Sequence, residues 1–397
     1  MKYYGFNPFI QAYQDGKRGV LYDLLEGDIF EVAPWVVDLF SGKVYRSYEE
    51  LRRHASKLDI NEEELKRIIE EGKQNGIILE LGRPYWRNEI TQYMEFNKSQ
   101  TISSLEFSTL WLQPTSKCDQ NCSFCNSFIN CTCFGGETEW EAKELENLFN
   151  DLERFKGMIG RVEIFGGNPL LYPGLETLLL RTCKINPKII NVNIPFSIEH
   201  WRLERLLKFK SICKTKFQIT LLVFPAYNNI SSIKEWKKKD FGMKFKLFLD
   251  QEEKRLEWME KLDGISFSEE FILKKDLSNI GWFKEKLKDN FLESVSFFDF
   301  FSRKHWHRCW ENSFSINSEG KVKPCLWSQF VFGNWEEGKV IDIIDNINTG
   351  KYYLISSSLE KIEGCRNCAY RFGCKDCRAI TEFLTGDSRA KNPLCDK

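Results

Sequence analysis

Cys118, Cys122 and Cys125 stand in one short stretch, Thr-Ser-Lys-Cys-Asp-Gln-Asn-Cys-Ser-Phe-Cys-Asn, with the spacing C-x3-C-x2-C. An aromatic residue, Phe124, precedes the last thiol. Three thiolates on one loop can hold three irons of a [4Fe–4S] cube and leave the fourth iron open to an amine and a carboxylate. The loop directly follows Phe107–Gln113, an apolar run that reads as a β-strand. Reactive groups at the carboxyl ends of strands are the habit of βα-barrels.

The chain has 14 cysteines. It begins Met-Lys-Tyr-Tyr-Gly-Phe-Asn-Pro, without an apolar run of signal-peptide type. No stretch approaches the roughly 18 apolar residues of a membrane span, so we expect a cytoplasmic protein with no membrane partner. Thiols there stay reduced, and clustered cysteines then point to metal rather than to disulfides. The 57 basic residues balance 57 acidic ones, which argues against a nucleic-acid partner. At 397 residues the chain is long for one domain.

Residues 1–85 read as a small separate unit. Gly19–Leu24 and Asp28–Val32 alternate around Glu26-Gly27 like a hairpin. Helical patterns follow at Pro34–Phe40 and Tyr48–Ser56, and Asn61 starts a third with Glu64 three residues on. Ile77–Leu81 reads as a returning strand. The order suggests a winged helix-turn-helix, but acids outnumber bases over residues 15–85, which speaks against a phosphate-binding surface. Residues 86–104 read as a polar linker.

Over residues 105–270 strand and helix alternate. Strands are expected at Phe107–Gln113, Arg161–Phe165, Ile189–Ile194, Phe217–Phe224, Phe241–Leu249 and Gly264–Phe267, and Thr138 is the expected cap of the first helix. Repeated βα units imply a parallel sheet, here an α/β fold of partial (β/α)6 barrel type. A bridging region, 271–305, contains the aromatic run Phe297–Phe301, read as packing. The last domain, 306–397, holds Cys309 and Cys325 flanking a hairpin turn at Asn317–Gly320, then Cys365-x2-Cys368-x5-Cys374-x2-Cys377 and Cys395. Zinc is the competing use of such pairs, but the gap of five residues is short for opposed zinc knuckles.

Phe165-Gly166-Gly167-Asn168-Pro169-Leu170-Leu171 follows the second strand. With the cysteine triad, it resembles the signature of radical S-adenosylmethionine (SAM) enzymes, and the C-terminal cysteines resemble the SPASM extension of that family. The resemblance spans about residues 105–397. It implies a SAM-binding cluster on Cys118, Cys122 and Cys125, with Phe124, Gly166, Gly167, Asn168 and Asn193 as cofactor-binding positions. Asn168 stands where the family usually has an acidic residue. The resemblance also implies two auxiliary [4Fe–4S] clusters, three clusters in all. Cys309, Cys325 and Cys377 would hold the first, and Cys365, Cys368, Cys374 and Cys395 the second. The family usually has three residues in the last short gap, where this chain has Lys375 and Asp376. The first cluster lacks a matched fourth thiol. His305 or His307, one of Cys131, Cys133, Cys183 and Cys213, or an open iron could complete it.

The N-terminal unit resembles the peptide-recognition domain (RRE) of peptide-modifying radical SAM enzymes, which binds a precursor's leader by strand addition. The implied activity is maturation of a ribosomally made precursor peptide, with a flavodoxin or ferredoxin as electron donor. A thioether or carbon–carbon cross-link is the expected product. Alternatives are a peptide epimerase, with Cys131 or Cys133 donating a hydrogen atom, a sulfatase-type formylglycine maturase, and a non-catalytic scaffold that presents peptide to another enzyme.

Overall fold

A computed structural model describes residues 1–42, 44–85, 107–119, 136–196, 200–224, 230–238, 243–249, 255–262, 265, 267, 269–272, 291–308, 313–335, 340, 342–343, 357–393 and 395. The chain opens with β1 (Tyr3–Phe6), β2 (Ile10–Gln14), β3 (Gly19–Asp23) and β4 (Ile29–Val32). Next come α1 (Pro34–Phe40), β5 (Arg46–Ser47), α2 (Tyr48–Lys57), α3 (Glu62–Gln74) and β6 (Ile78–Leu81). Ser47 and Glu50 close a capping box on α2. Asn61 caps α3 by accepting from the Glu64 N–H at 2.9 Å, which satisfies one of the orphan donors of a helix start. Gly27 turns the β3–β4 hairpin at a φ of +85°, a value that favours glycine.

Strands β2, β3 and β4 form one antiparallel sheet and β5, β1 and β6 another. Alternation puts opposite sides of β3 to different uses. Leu21 enters the unit's own core with Val36, Leu39, Leu65 and Ile69. Val20 and Tyr22 turn the other way, into a cluster with Phe300, Ala369, Tyr370 and Phe372. The unit therefore packs against the C-terminal part of the chain. The aromatic run forms α9 (Phe297–His305), whose Phe300 and Phe301 sit in that docking cluster.

Six parallel strands follow: β7 (Phe107–Leu112), β8 (Ile159–Ile164), β9 (Ile189–Pro195), β10 (Lys216–Val223), β11 (Lys244–Leu249) and β12 (Glu269–Ile272). Between them lie α4 (Ala142–Leu152), α5 (Leu175–Lys184), α6 (His200–Ile212), α7 (Ile230–Lys238) and α8 (Arg255–Lys261). Leu110, Val162, Val192, Ile219 and Leu247 join one core cluster with Leu145, Leu148 and Leu178 from the helices. The sixth strand of the sheet is Glu269–Ile272; of the expected Gly264–Phe267, Gly264 and Ser266 lie outside the described residues, and Ile265 packs into the core beside Leu262. Helix α4 is capped by Glu141 in a box with Glu144, not by Thr138.

The C-terminal hairpin extends this sheet. β13 (Ser313–Ile316) pairs parallel to β7, Ser313 opposite Thr109 and Ile316 opposite Leu112. β14 (Lys321–Lys323) and β15 (Gly333–Asn334) continue it antiparallel. α10 (Arg378–Thr385) closes the described part. Cys183 and Cys213, expected as reduced thiols, form a disulfide across 30 residues with their Cα atoms 6.6 Å apart. They leave the set of candidates for a cluster ligand. Among the described residues no helix is long and apolar enough to cross a membrane.

Candidate metal centres

The chain runs from the carboxyl end of β7 into the cysteine loop, and the glycine loop after β8 backs it. The Phe165 N–H donates to Leu112 O at 2.9 Å, that of Gly167 to Thr115 O at 3.1 Å and that of Asn168 to Lys117 O at 2.7 Å. A Cβ at Gly166 would lie 2.2 Å from Thr115 O, and one at Gly167 would lie 2.2 Å from Lys117 O. The two glycines thus allow backbone to approach backbone, and the approach that this structure shows is to the cysteine loop. Cys118 is half-buried there. Cys122, Phe124, Cys125, Cys131 and Cys133 lie outside the described residues.

Asn168 is buried. Its Oδ1 accepts from the Leu170 N–H at 3.1 Å, and its amide donates to Asp119 Oδ1 at 3.0 Å. The fold thus brings an acidic residue, the one after Cys118, into contact with Asn168. The sequence reading passed over Asp119, because only the fold brings it to the glycine loop. The loop's base is tied to the C-terminal hairpin. Thr138, freed from capping, shares hydrogen bonds with Ser116 Oγ at 2.9 Å and with Ser318 Oγ at 2.6 Å. Trp140 Nε1 donates to Asn317 O at 2.9 Å.

Inside the barrel stands a polar cluster. Asn191 and Asn193 each donate to Glu163 Oε2 at 2.7 Å, and Arg161 Nη1 lies 3.0 Å from Glu163 Oε1. Thr220 donates to Asn191 Oδ1 at 2.9 Å. The amide of Asn193 is thereby committed to Glu163, a residue that sequence reasoning missed. Its signal was available: a carboxylate in a strand otherwise rich in apolar residues, opposite Asn191 in register.

Near the C-terminus, Cys365, Cys368, Cys374 and Cys395 interact electrostatically with one another. Burial pushes the Cys365 thiol up to about 12, and raises those of Cys368 and Cys374 as well. An iron centre there would have to displace protons to bind. Among the described residues no three His, Cys, Asp or Glu converge on a single metal-ion position. The donor set itself, half-buried and all sulfur, suits an iron–sulfur cube. Cys325 follows β14 and Cys377 precedes α10, while Cys309 lies outside the described residues. His305 is exposed at the end of α9. His307 is buried, with Nε2 3.5 Å from Asp376 Oδ2, and its burial lowers its pKa and keeps the ring neutral.

A model of the radical SAM superfamily matches residues 112–221, and a model of the SPASM iron–sulfur cluster-binding domain matches residues 308–369. Comparison with curated proteins gives no match. Among solved structures, Streptococcus suis SuiB bound to S-adenosylmethionine is 14% identical, with 99% of this chain and 100% of that chain covered and a TM-score of 0.44. Native anSMEcpe with bound AdoMet is 16% identical, with 72% and 94% covered and a TM-score of 0.49. The heterocyclase TruD is 9% identical, with 55% and 25% covered and a TM-score of 0.18.

Proposed function

The chain is a radical SAM enzyme with a SPASM domain, and we propose that it matures a ribosomally synthesised precursor peptide. The observation that carries this reading is the contact between the loop of Cys118 and the loop of Gly166, Gly167 and Asn168 at the barrel's carboxyl end. On this reading Cys118, Cys122 and Cys125 hold the SAM cluster, Cys365, Cys368, Cys374 and Cys395 hold one auxiliary cluster, and Cys309, Cys325 and Cys377 hold another. A SAM cluster on Cys118, Cys122 and Cys125, reduced by a flavodoxin or ferredoxin, would supply one electron to break a C–S bond of SAM, with methionine as the leaving group and hydrogen-abstraction chemistry as the result.

The chain's own residues hold and orient. The glycine loop fixes the cysteine loop through two backbone bonds. Asn168 holds Asp119 through its amide at 3.0 Å, and a carboxylate at this place would complement the cofactor's ammonium. The amides of Asn191 and Asn193 fix Glu163 as a polar wall inside the barrel. Strand β4 is an edge of its sheet, and a leader can add to it as a further strand. A thioether or carbon–carbon cross-link removes two hydrogens: one would leave as a hydrogen atom to the SAM-derived radical, and the other as a proton and one electron, which an auxiliary cluster would take up.

Two measurements test the reading. Anaerobically reconstituted protein, given a strong reductant, is expected to cleave SAM to 5′-deoxyadenosine. A precursor peptide incubated with it is expected to lose two hydrogens per link in its mass spectrum. Cleavage with an unchanged peptide mass, and solvent deuterium gained at one residue, would indicate epimerisation instead. Absence of cleavage with peptide binding retained would indicate a scaffold. For the cofactor site, Asp119→Asn is expected to weaken SAM binding about ten-fold by removing a charge-assisted acceptor, at unchanged iron content. Equilibrium dialysis checks this, and equal affinity would remove Asp119 from the site.

A further inference from the structure

The five residues between Cys368 and Cys374 all touch the N-terminal unit. Ala369 O accepts from the Tyr22 hydroxyl at 2.6 Å. The Tyr370 hydroxyl donates to Glu31, and its ring lies 5.2 Å from the Arg18 guanidinium. Arg371 stacks 4.4 Å over the ring of Tyr13. The Phe372 ring centroid is 5.1 Å from that of Tyr13 and 5.8 Å from that of Tyr22. At Gly373 a Cβ would meet Ile29 Cδ1 at 2.4 Å, so a side chain there would have to push the end of the Ile29 side chain aside. From the other side, Gly373 O accepts from the Glu293 N–H at 3.0 Å, and the Val295 N–H donates to Gly27 O at 2.9 Å. The short loop is thus held between the N-terminal sheet and the segment that leads into α9.

Tyr22 is the centre of this contact. It is fully buried, its ring packs 5.5 Å from that of Phe300, and its hydroxyl reaches the first carbonyl after Cys368. The Arg371 guanidinium turns back to Cys368 O at 2.8 Å. We propose that the N-terminal sheet, through Tyr22, is a positioning element for the Cys368–Cys374 loop and so for the centre those thiols hold. The proposal rests on reading Cys368 and Cys374 as cluster ligands. Groups that orient metal ligands and shield the site from solvent set both retention and potential. Coupling is reciprocal: a formed centre tightens the docking of the sheet whose next strand, β4, offers the edge for a leader.

The test uses the full chain with Cys118, Cys122 and Cys125 replaced by alanine, so that only auxiliary centres contribute, after anaerobic reconstitution. In this parent, Tyr22→Phe removes the hydroxyl and Tyr22→Leu the whole ring. Tyr22→Leu is expected to release iron to a ferrous chelator about ten-fold faster and to shift the paramagnetic resonance spectrum of one reduced cluster. Tyr22→Phe should act in the same direction with a smaller effect, and since it keeps the ring it guards against a variant that fails to fold. In the reciprocal experiment, Cys368→Ala with Cys374→Ala should speed hydrogen exchange of the β3 amides about ten-fold. Parental spectra and release rates in both Tyr22 variants overturn the proposal, as does parental exchange in the cysteine variant. A parent that binds no iron overturns the ligand assignment itself, and this shows before any variant is compared.

Discussion

Replacement of Cys118, Cys122 and Cys125 together by alanine should remove roughly four of about twelve irons and abolish SAM cleavage, if each thiol set holds one cube. The fold should survive. The loop's base is held by Thr115 O and Lys117 O, which accept from the glycine loop, and by Ser116 Oγ, which accepts from the Thr138 N–H at 2.9 Å. None of these bonds uses a thiol. The ion pair of Lys117 with Glu139 at 2.7 Å adds a side-chain tether. Circular dichroism should therefore match that of the parent, while iron analysis shows the deficit and chromatography shows no 5′-deoxyadenosine. Residual cleavage in the triple variant would place the reactive cluster elsewhere. Deletion of residues 1–85 is a poorer experiment than the sequence suggests. It would expose Phe300, Tyr370 and Phe372, now buried under β3, and such a patch invites aggregation.

Local patterns made the barrel's strands legible. Apolar runs punctuated by capped helices gave most of the parallel strands. Elements that depend on distant partners were not legible. β1 is a short strand whose partners, β5 and β6, come much later in the chain. β2 precedes a hairpin that already looked complete. Thr138 lost its capping role because Ser116 and Ser318, 22 and 180 residues away, compete for its hydroxyl. The bond from Tyr22 to Ala369 spans 347 positions, and no periodicity in either segment announces it. Asp119 was overlooked for the same reason: it reads as an ordinary polar residue until the fold supplies Asn168.

Asp376→Ala should be the most destabilising single change in the C-terminal domain, costing about 3–5 kcal/mol. Asp376 is one of the two residues in the short gap between Cys374 and Cys377, and it ties three segments together. Arg378 Nε donates to its carboxylate, as does Asn392 Nδ2 at 2.9 Å. Arg378 is wholly buried and also donates to Ser388 O at 3.0 Å and Ala390 O at 2.7 Å, on the way to Cys395. Removing the carboxylate strands a buried guanidinium, which is the costly way to break such a pair. An exposed pair such as Lys66 and Glu62, at 2.8 Å, is worth only about 0–1 kcal/mol by comparison. Burial alone would raise the Asp376 pKa, but the Arg378 guanidinium beside it outweighs this and holds the carboxyl well below its usual 3.8. A carboxyl depressed on folding stabilises above its unfolded pKa, so this contribution persists at neutral pH and is lost only as pH falls below 3.8. For His307, burial depresses the folded pKa below 6.5, so its neutral form adds stability above that pH and the contribution fades as acid is added. Urea unfolding of cluster-free protein at neutral pH measures the loss, with wild type and Lys66→Ala alongside. Asp376→Ala combined with Arg378→Met should recover part of it, because the uncompensated charge goes too. A single variant within about 0.5 kcal/mol of wild type, the range of ordinary surface changes, would show that the pair does not hold this end of the domain together.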